Sequence, residues 1–246
     1  MSRPAPTIQA VTAVTAMELR LALRRGENLL VTAVVPAAVL LFFATAVPLA
    51  VPGRPVDFLL PGAVSLGVIA TSLVSLGIGT AYERHYGVLK RLAGSPIDRW
   101  AILVAKGSSV VVVEAVQVAL LVVIGMAALG WAPEPGWSPG LAVVAIGLGT
   151  LAFAGIGLTI AGRLRAEATL AIANGLFLVC LLLGGIVVPV DHLPPGLASV
   201  ATVLPAAALS DSLRAALEGG WSGSLVVLAA WAVGATAVAT RTFRWE

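Results

Sequence analysis

The chain has 246 residues, 59% of them hydrophobic and only 11% charged, with a formal net charge of +3. Soluble domains carry roughly 25% charged residues, so this composition excludes a soluble fold and points to an integral membrane protein. Its apolar runs are continuous and about twice the length of the ~10-residue alternating strands of an outer-membrane barrel, which selects a helical architecture.

The first element is residues 8–25, IQAVTAVTAMELRLALRR. Ala10, Val14, Met17 and Leu21 recur at helical spacing, with Arg20 and Arg24 on another face. This pattern predicts a helix lying in the cytoplasmic interface, separated from the first span by a break near Gly26 and Asn28. The alternative is a plain extension of that span into water.

Six runs then approach the ~20 residues needed to cross a bilayer. They are 29–51, 58–81, 107–129, 141–161, 168–190 and 223–240. The first is too long, and begins too far along the chain, for a secretory signal, and is expected to be retained. Glycine pairs inside the spans, Gly77/Gly79 and Gly155/Gly157, read as sites of close helix packing. The outer connections are short and rich in Pro and Gly, and Trp131 and Trp137 suit an interfacial belt.

Orientation follows from the 15 Lys and Arg residues. Arg54 and Arg214 fall on one side; Arg3, Arg20, Arg24, Arg25, Arg84, Lys90, Arg91, Arg99, Lys106, Arg163, Arg165, Arg241 and Arg244 fall on the other. The positive-inside rule puts both termini and the loops 82–106 and 162–167 in the cytoplasm. The basic balance is therefore topological, and no nucleic-acid partner is expected. One cysteine, Cys180, and two distant histidines, His85 and His192, leave no disulfide and no metal set to expect.

Two stretches break the apolar pattern. Residues 82–100, YERHYGVLKRLAGSPIDRW, concentrate charge between two spans. Leu89 and Leu92 among basic residues make a compact amphipathic plug, with apolar anchors for a groove and charges for orientation. Gly94-Ser95-Pro96 ends it. Without a partner, the same charges would serve topology alone. Residues 191–221 are too apolar for a loop, yet Pro194, Pro195 and Pro205 interrupt them. Two short helices dipping part-way into the outer leaflet are expected, with Arg214 and Glu218 positioned to pair. A plain surface cap is the alternative.

Inside the spans, the single charge is Glu114, with Gln117 on the same helix face. A carboxyl at that depth costs about 2.5–3.5 kcal/mol and must face protein or water. The pair reads either as a contact for a cationic substrate or proton, or as a buried interhelical hydrogen bond. Asn174 reads as interhelical glue. Ser65, Thr71, Ser72 and Ser75 give the second span a mildly polar character.

The stretch 83–106 resembles the cytoplasmic loop of ABC-2 type exporter permeases. Glu83, Arg84, Gly87, Leu89, Lys90, Arg91, Ser95, Pro96 and Arg99 match its pattern of an acidic-basic start, Gly and Leu, a basic pair, Ser-Pro and a basic residue. A second stretch, 184–217, resembles the same family's end of the fifth helix, with an apolar-Pro element, Leu-Pro and Asp-x-Leu-Arg. His85 departs from the charged start, and Val187-Val188 replaces an aromatic pair before Pro189. The resemblance covers most of the chain. It implies an all-α polytopic fold: residues 1–246 form one transmembrane domain of six helices, with an interfacial helix at 8–25, an ATPase-coupling loop at 83–99 and a re-entrant outer hairpin at 191–221.

The resemblance further implies a drug- or antibiotic-resistance type exporter in a bacterial plasma membrane. Two copies of the permease, read as a homodimer, would sit above two ABC ATPase subunits. The coupling residues would be Glu83, Arg84, Gly87, Leu89, Lys90, Arg91, Leu92, Ser95 and Pro96. The substrate path would run past Ser65, Thr71, Ser75, Glu114, Gln117, Asn174, Val187, Val188 and Pro189. Such an apolar path favours an amphipathic drug, natural product or lipid-like cargo. The abundance of Ala, Val and Gly fits a GC-rich bacterial genome. No phosphate-cradling G-x-x-x-x-G-K-[ST] occurs, so no cofactor is expected on this chain; ATP and Mg would belong to the partner ATPase, and the chain is no enzyme. The competing reading is an ion-coupled secondary transporter using Glu114. A membrane enzyme is disfavoured, because His85, His192, Asp57 and Asp191 are scattered.

Overall fold

The computed structural model describes residues 7–24, 26–48, 51, 53–93 and 99–243. Arg3, Arg25, Gly94, Ser95, Pro96 and Arg244 lie outside them. The described chain is all-α, as expected, and five of its helices are long and apolar enough to cross a membrane.

Helix α1 (Thr7–Arg24) is separate from α2 (Gly26–Thr45). Val14 is buried, Thr15 Oγ1 donates to Ala105 O at 3.4 Å, and Glu18 reaches Lys106, so α1 rests on the helix that follows the charged loop. Met17 and Leu21, expected on the same face as Val14, are exposed on its flank. Helix α2 stops short of the expected end of the first span; Pro48, just beyond, disfavours helix in the residue before it.

The second span is the axis of the molecule. Helix α3 (Pro55–Ile69), a π-helical turn (Ala70–Ser75) and α4 (Leu76–His85) run on as one 31-residue helix. At 1.5 Å per residue it is about 46 Å long, against about 30 Å of bilayer hydrocarbon. Its most apolar window is 83% buried, whereas the corresponding windows of the other four spans are 22–39% buried. Those four therefore wrap it and face outward. They are α6 (Arg99–Leu129), whose apolar span starts at Val104, α7 (Pro139–Arg163), α8 (Ala166–Leu183) and α11 (Ser224–Thr242).

Glycines bring these helices close, as expected for Gly77, Gly155 and Gly157. A methyl group on Gly77 would lie 3.2 Å from Gly157 Cα, and one on Gly155 would lie 2.6 Å from the Ala235 carbonyl carbon. The last span is thus seated directly on the one that starts at Pro139.

The fifth span corrects the expected boundary. Helix α8 ends at Leu183 rather than near Val190, because Gly184 and Gly185 turn the chain; Gly185 has φ +61°, which favours glycine. A 3₁₀ turn (Val190–His192), α9 (Pro195–Ala201) and α10 (Pro205–Leu217) follow, and the two short helices meet at 77°. Helix α10 is no surface cap. Pro205–Ser210, Ser212, Leu213 and Ala216 are all buried, packed on α3 and α7.

Candidate functional site

The charged loop hangs from a clamped stem. Helix α4 ends with Tyr82–His85, Gly87 turns the chain at φ +70°, and α5 (Val88–Ala93) follows. Glu83 is buried rather than displayed. It accepts from Lys106 Nζ at 2.6 Å, and the same ammonium donates to Glu18 at 2.8 Å. Three elements, α1, α4 and α6, meet in this triad. Arg84 also turns inward, donating to Gly162 O at 2.5 Å and to Leu164 O. It satisfies carbonyls that the end of α7 leaves open and places a cation at that helix's negative pole.

The short helix itself divides into two faces. Leu89 is 1% exposed, so it anchors α5 to its own chain instead of reaching into a partner, and Leu92 is half-buried. Lys90 and Arg91 are exposed, together with Tyr86 and Val88. Sequence reading missed Tyr86 and Val88. Nothing in the spacing singled them out, because Val88 adjoins Leu89 and Tyr86 precedes the Gly87 turn. His85, the departure from the family pattern, packs edge-on against Tyr86 at 5.1 Å. The structure describes nothing of Ser95 and Pro96.

Within one chain the expected path residues make separate contacts. Ser65 is fully buried and donates to Pro61 O in its own helix. Thr71 donates to Gln117 Oε1 at 3.0 Å, and Gln117 Nε2 donates to Thr32 O, so Gln117 pins α2, the π turn and α6 together. Glu114 is 3% exposed and meets Thr150 Oγ1 at 2.6 Å. That hydroxyl is also 2.9 Å from Ile146 O. The Thr150 hydroxyl donates to Glu114 Oε2 across the helix pair, so Glu114 ties α6 to α7.

Asn174 is exposed on α8 and donates within its own helix, to Leu170 O at 2.9 Å. Among the described residues it bonds to no other helix. Val187 is buried, Val188 is 41% exposed and Pro189 is half-buried at the outer turn. Ser75 lines a cavity beside the stem of the loop, and Thr71 lies in the same wall.

The outer hairpin is held by Arg214. Its guanidinium donates to Gly185 O and to Asp211 at 3.1 Å, and sits 3.9 Å from the centre of the Phe58 ring. Its partner is Asp211, in place of the expected Glu218. Ser210 Oγ donates to Gly184 O at 2.7 Å, and Trp231 Nε1 to Val203 O at 2.8 Å. The Asp-x-Leu-Arg stretch thereby fixes the glycine turn after α8 against α3.

Comparison with curated proteins finds no match. A family profile described as ABC-2 type transporter matches residues 9–217. The match begins in the interfacial helix and ends with the last residue of α10, so it takes in both the clamped loop and the outer hairpin. This multi-pass membrane chain belongs to the ABC-2 type transporter family.

Proposed function

We propose that the chain is the permease subunit of an ATP-driven exporter in a bacterial plasma membrane. Both termini and the charged loop face the cytoplasm, and a homodimer of permeases is paired with two ABC ATPases that bind ATP and Mg. The observation that carries this reading is the two-faced helix α5. Leu89 locks it to the bundle, while Lys90, Arg91, Tyr86 and Val88 are presented outward. A rigidly rooted basic plug with an aromatic edge suits docking into a groove of a partner. Its stem ends on the central span through Glu83 and Arg84, so a push on α5 is delivered to the axis of the bundle. The mostly apolar spans favour an amphipathic drug, natural product or lipid-like cargo moved outward.

Ion-coupled transport through Glu114 gains no support from its geometry. The acid is committed to Thr150 between two packed helices.

The test is co-purification of tagged protein from its native host in mild detergent, comparing the natural chain with Lys90→Glu/Arg91→Glu. Both side chains are exposed, so the variant keeps its thermal stability. Loss of a co-purifying P-loop ATPase and of ATP hydrolysis supports the reading. An ATPase retained equally by the variant, or never recovered with either chain, rejects it.

A further inference from the structure

Beside the stem of the loop lies a cavity of about 80 Å³, bounded by α1, α2, the π turn, α4 and α6. It is far below the ~300–1,000 Å³ of a drug-sized pocket, yet larger than one water needs. Three observations about its wall converge.

The first is charge. Among the described lining residues the charged groups are Glu18, Glu83 and Lys106. Lys106 Nζ contacts one oxygen of each carboxylate. One ammonium balances one carboxylate, so the cluster holds an excess charge of −1. Its side chains are only 8–14% exposed, where an unbalanced charge is costly.

The second is Thr80. It is 2% exposed and lines the same cavity, and its Oγ1 has no hydrogen-bond partner. Other helical hydroxyls in this chain bond back to the carbonyl four residues earlier: Ser65 to Pro61, Ser72 to Val68, Thr159 to Gly155. Thr80 does not, and its oxygen is left to whatever the cavity holds.

The third is the π turn. Thr71 and Ser75, both in the wall, belong to it. Single π turns within α-helices are frequent at functional sites.

We propose that this cavity binds a small monovalent cation, held by the oxygens of Glu18 and Glu83 that Lys106 does not use and by Thr80 Oγ1. Hard oxygen donors suit a hard cation. The excess of one negative charge, with an ammonium already in the cluster, selects a single positive charge over a divalent ion. The ion neutralises the triad and ties α1 to the stem of the loop. This inference stands apart from the exporter reading and needs neither cargo nor ATPase.

The test is thermal unfolding of the purified full chain in lipid nanodiscs. NaCl and KCl are titrated against choline chloride at constant ionic strength. A saturating rise in midpoint of about 2–4 °C with Na⁺ or K⁺, absent with choline, is expected, because an ion that binds only the folded state stabilises it. The larger of the two responses identifies the ion. Thr80→Val keeps the side-chain shape and is expected to abolish the rise without lowering the choline midpoint. Glu18→Gln keeps a hydrogen-bond acceptor for Lys106 and removes the excess charge, and is expected to abolish the rise as well. Equal midpoints in all three salts, or an undiminished rise in both variants, overturns the proposal.

Discussion

Lys106 Nζ lies 2.6 Å from Glu83 Oε2, joining the helix that enters the charged loop to the helix that leaves it. The same ammonium holds Glu18 of the interfacial helix. Removing the cation strands two buried carboxylates. Lys106→Met is therefore expected to destabilise the chain by about 3–5 kcal/mol, and Glu83→Gln in the same chain to restore part of the loss. Tryptophan fluorescence during thermal unfolding of the single and double variants measures both effects.

Glycine contacts give a contrast within one helix. A methyl group at position 155 meets backbone atoms of Ala235 at 2.6 Å, whereas one at Gly147 meets nothing within 4 Å. Gly155→Ala is expected to cost about 1–3 kcal/mol by overpacking. Gly147→Ala is expected to leave stability unchanged or raise it by up to about 1 kcal/mol. Midpoints of the two variants, measured side by side in one detergent, settle the comparison.

The tie between Glu114 and Thr150 has its own signature. Glu114→Gln retains an acceptor for Thr150 and is expected to stay within about 1 kcal/mol of the natural chain. Thr150→Val leaves the buried carboxyl without its donor and is expected to cost about 1–3 kcal/mol. Loss of stability in Glu114→Gln as large as in Thr150→Val would show that a carboxylate is required.

Arg54 and Arg214 are expected to respond differently to Lys. Arg214 serves Gly185 O, Asp211 and the Phe58 ring with one planar group. A lysine is a point charge and cannot fill all three roles. Arg214→Lys is expected to cost about 1–3 kcal/mol. Arg54 is exposed beside Asp57, and Arg54→Lys is expected to leave the unfolding midpoint unchanged within error. Equal losses in the two variants would remove the distinction.

Most of the bundle was legible because bilayer thickness sets span length. The structure also accounts for the two arginines on the sparse side. Each pairs with an Asp three residues away and donates to a carbonyl of another segment, Arg54 to Gly130 and Arg214 to Gly185. What the sequence concealed was direction. Leu89 and Glu83 carry the family pattern, but nothing in their spacing says that both turn inward. The same holds for α10, whose composition suits a membrane surface as well as the interior it occupies. Thr80 is a further case, since a threonine at the end of an apolar run has no mark until its neighbours leave it unpaired.

The central span and α7 approach closely at Gly77 and Gly157, where a methyl group on Gly77 would lie 3.2 Å from Gly157 Cα. At 1.5 Å per residue, Arg84 lies about 10 Å from that point and Pro55 about 33 Å in the opposite direction. A rod that rocks there behaves as an unequal lever. Its far end sweeps about three times the arc of the end that holds the loop, and the widened turn at Ala70–Ser75 sits in the long arm just beyond the fulcrum. An ångström of travel at the end that carries the loop would become about three at the Pro55 end, so a pivot at these two glycines would set the gain.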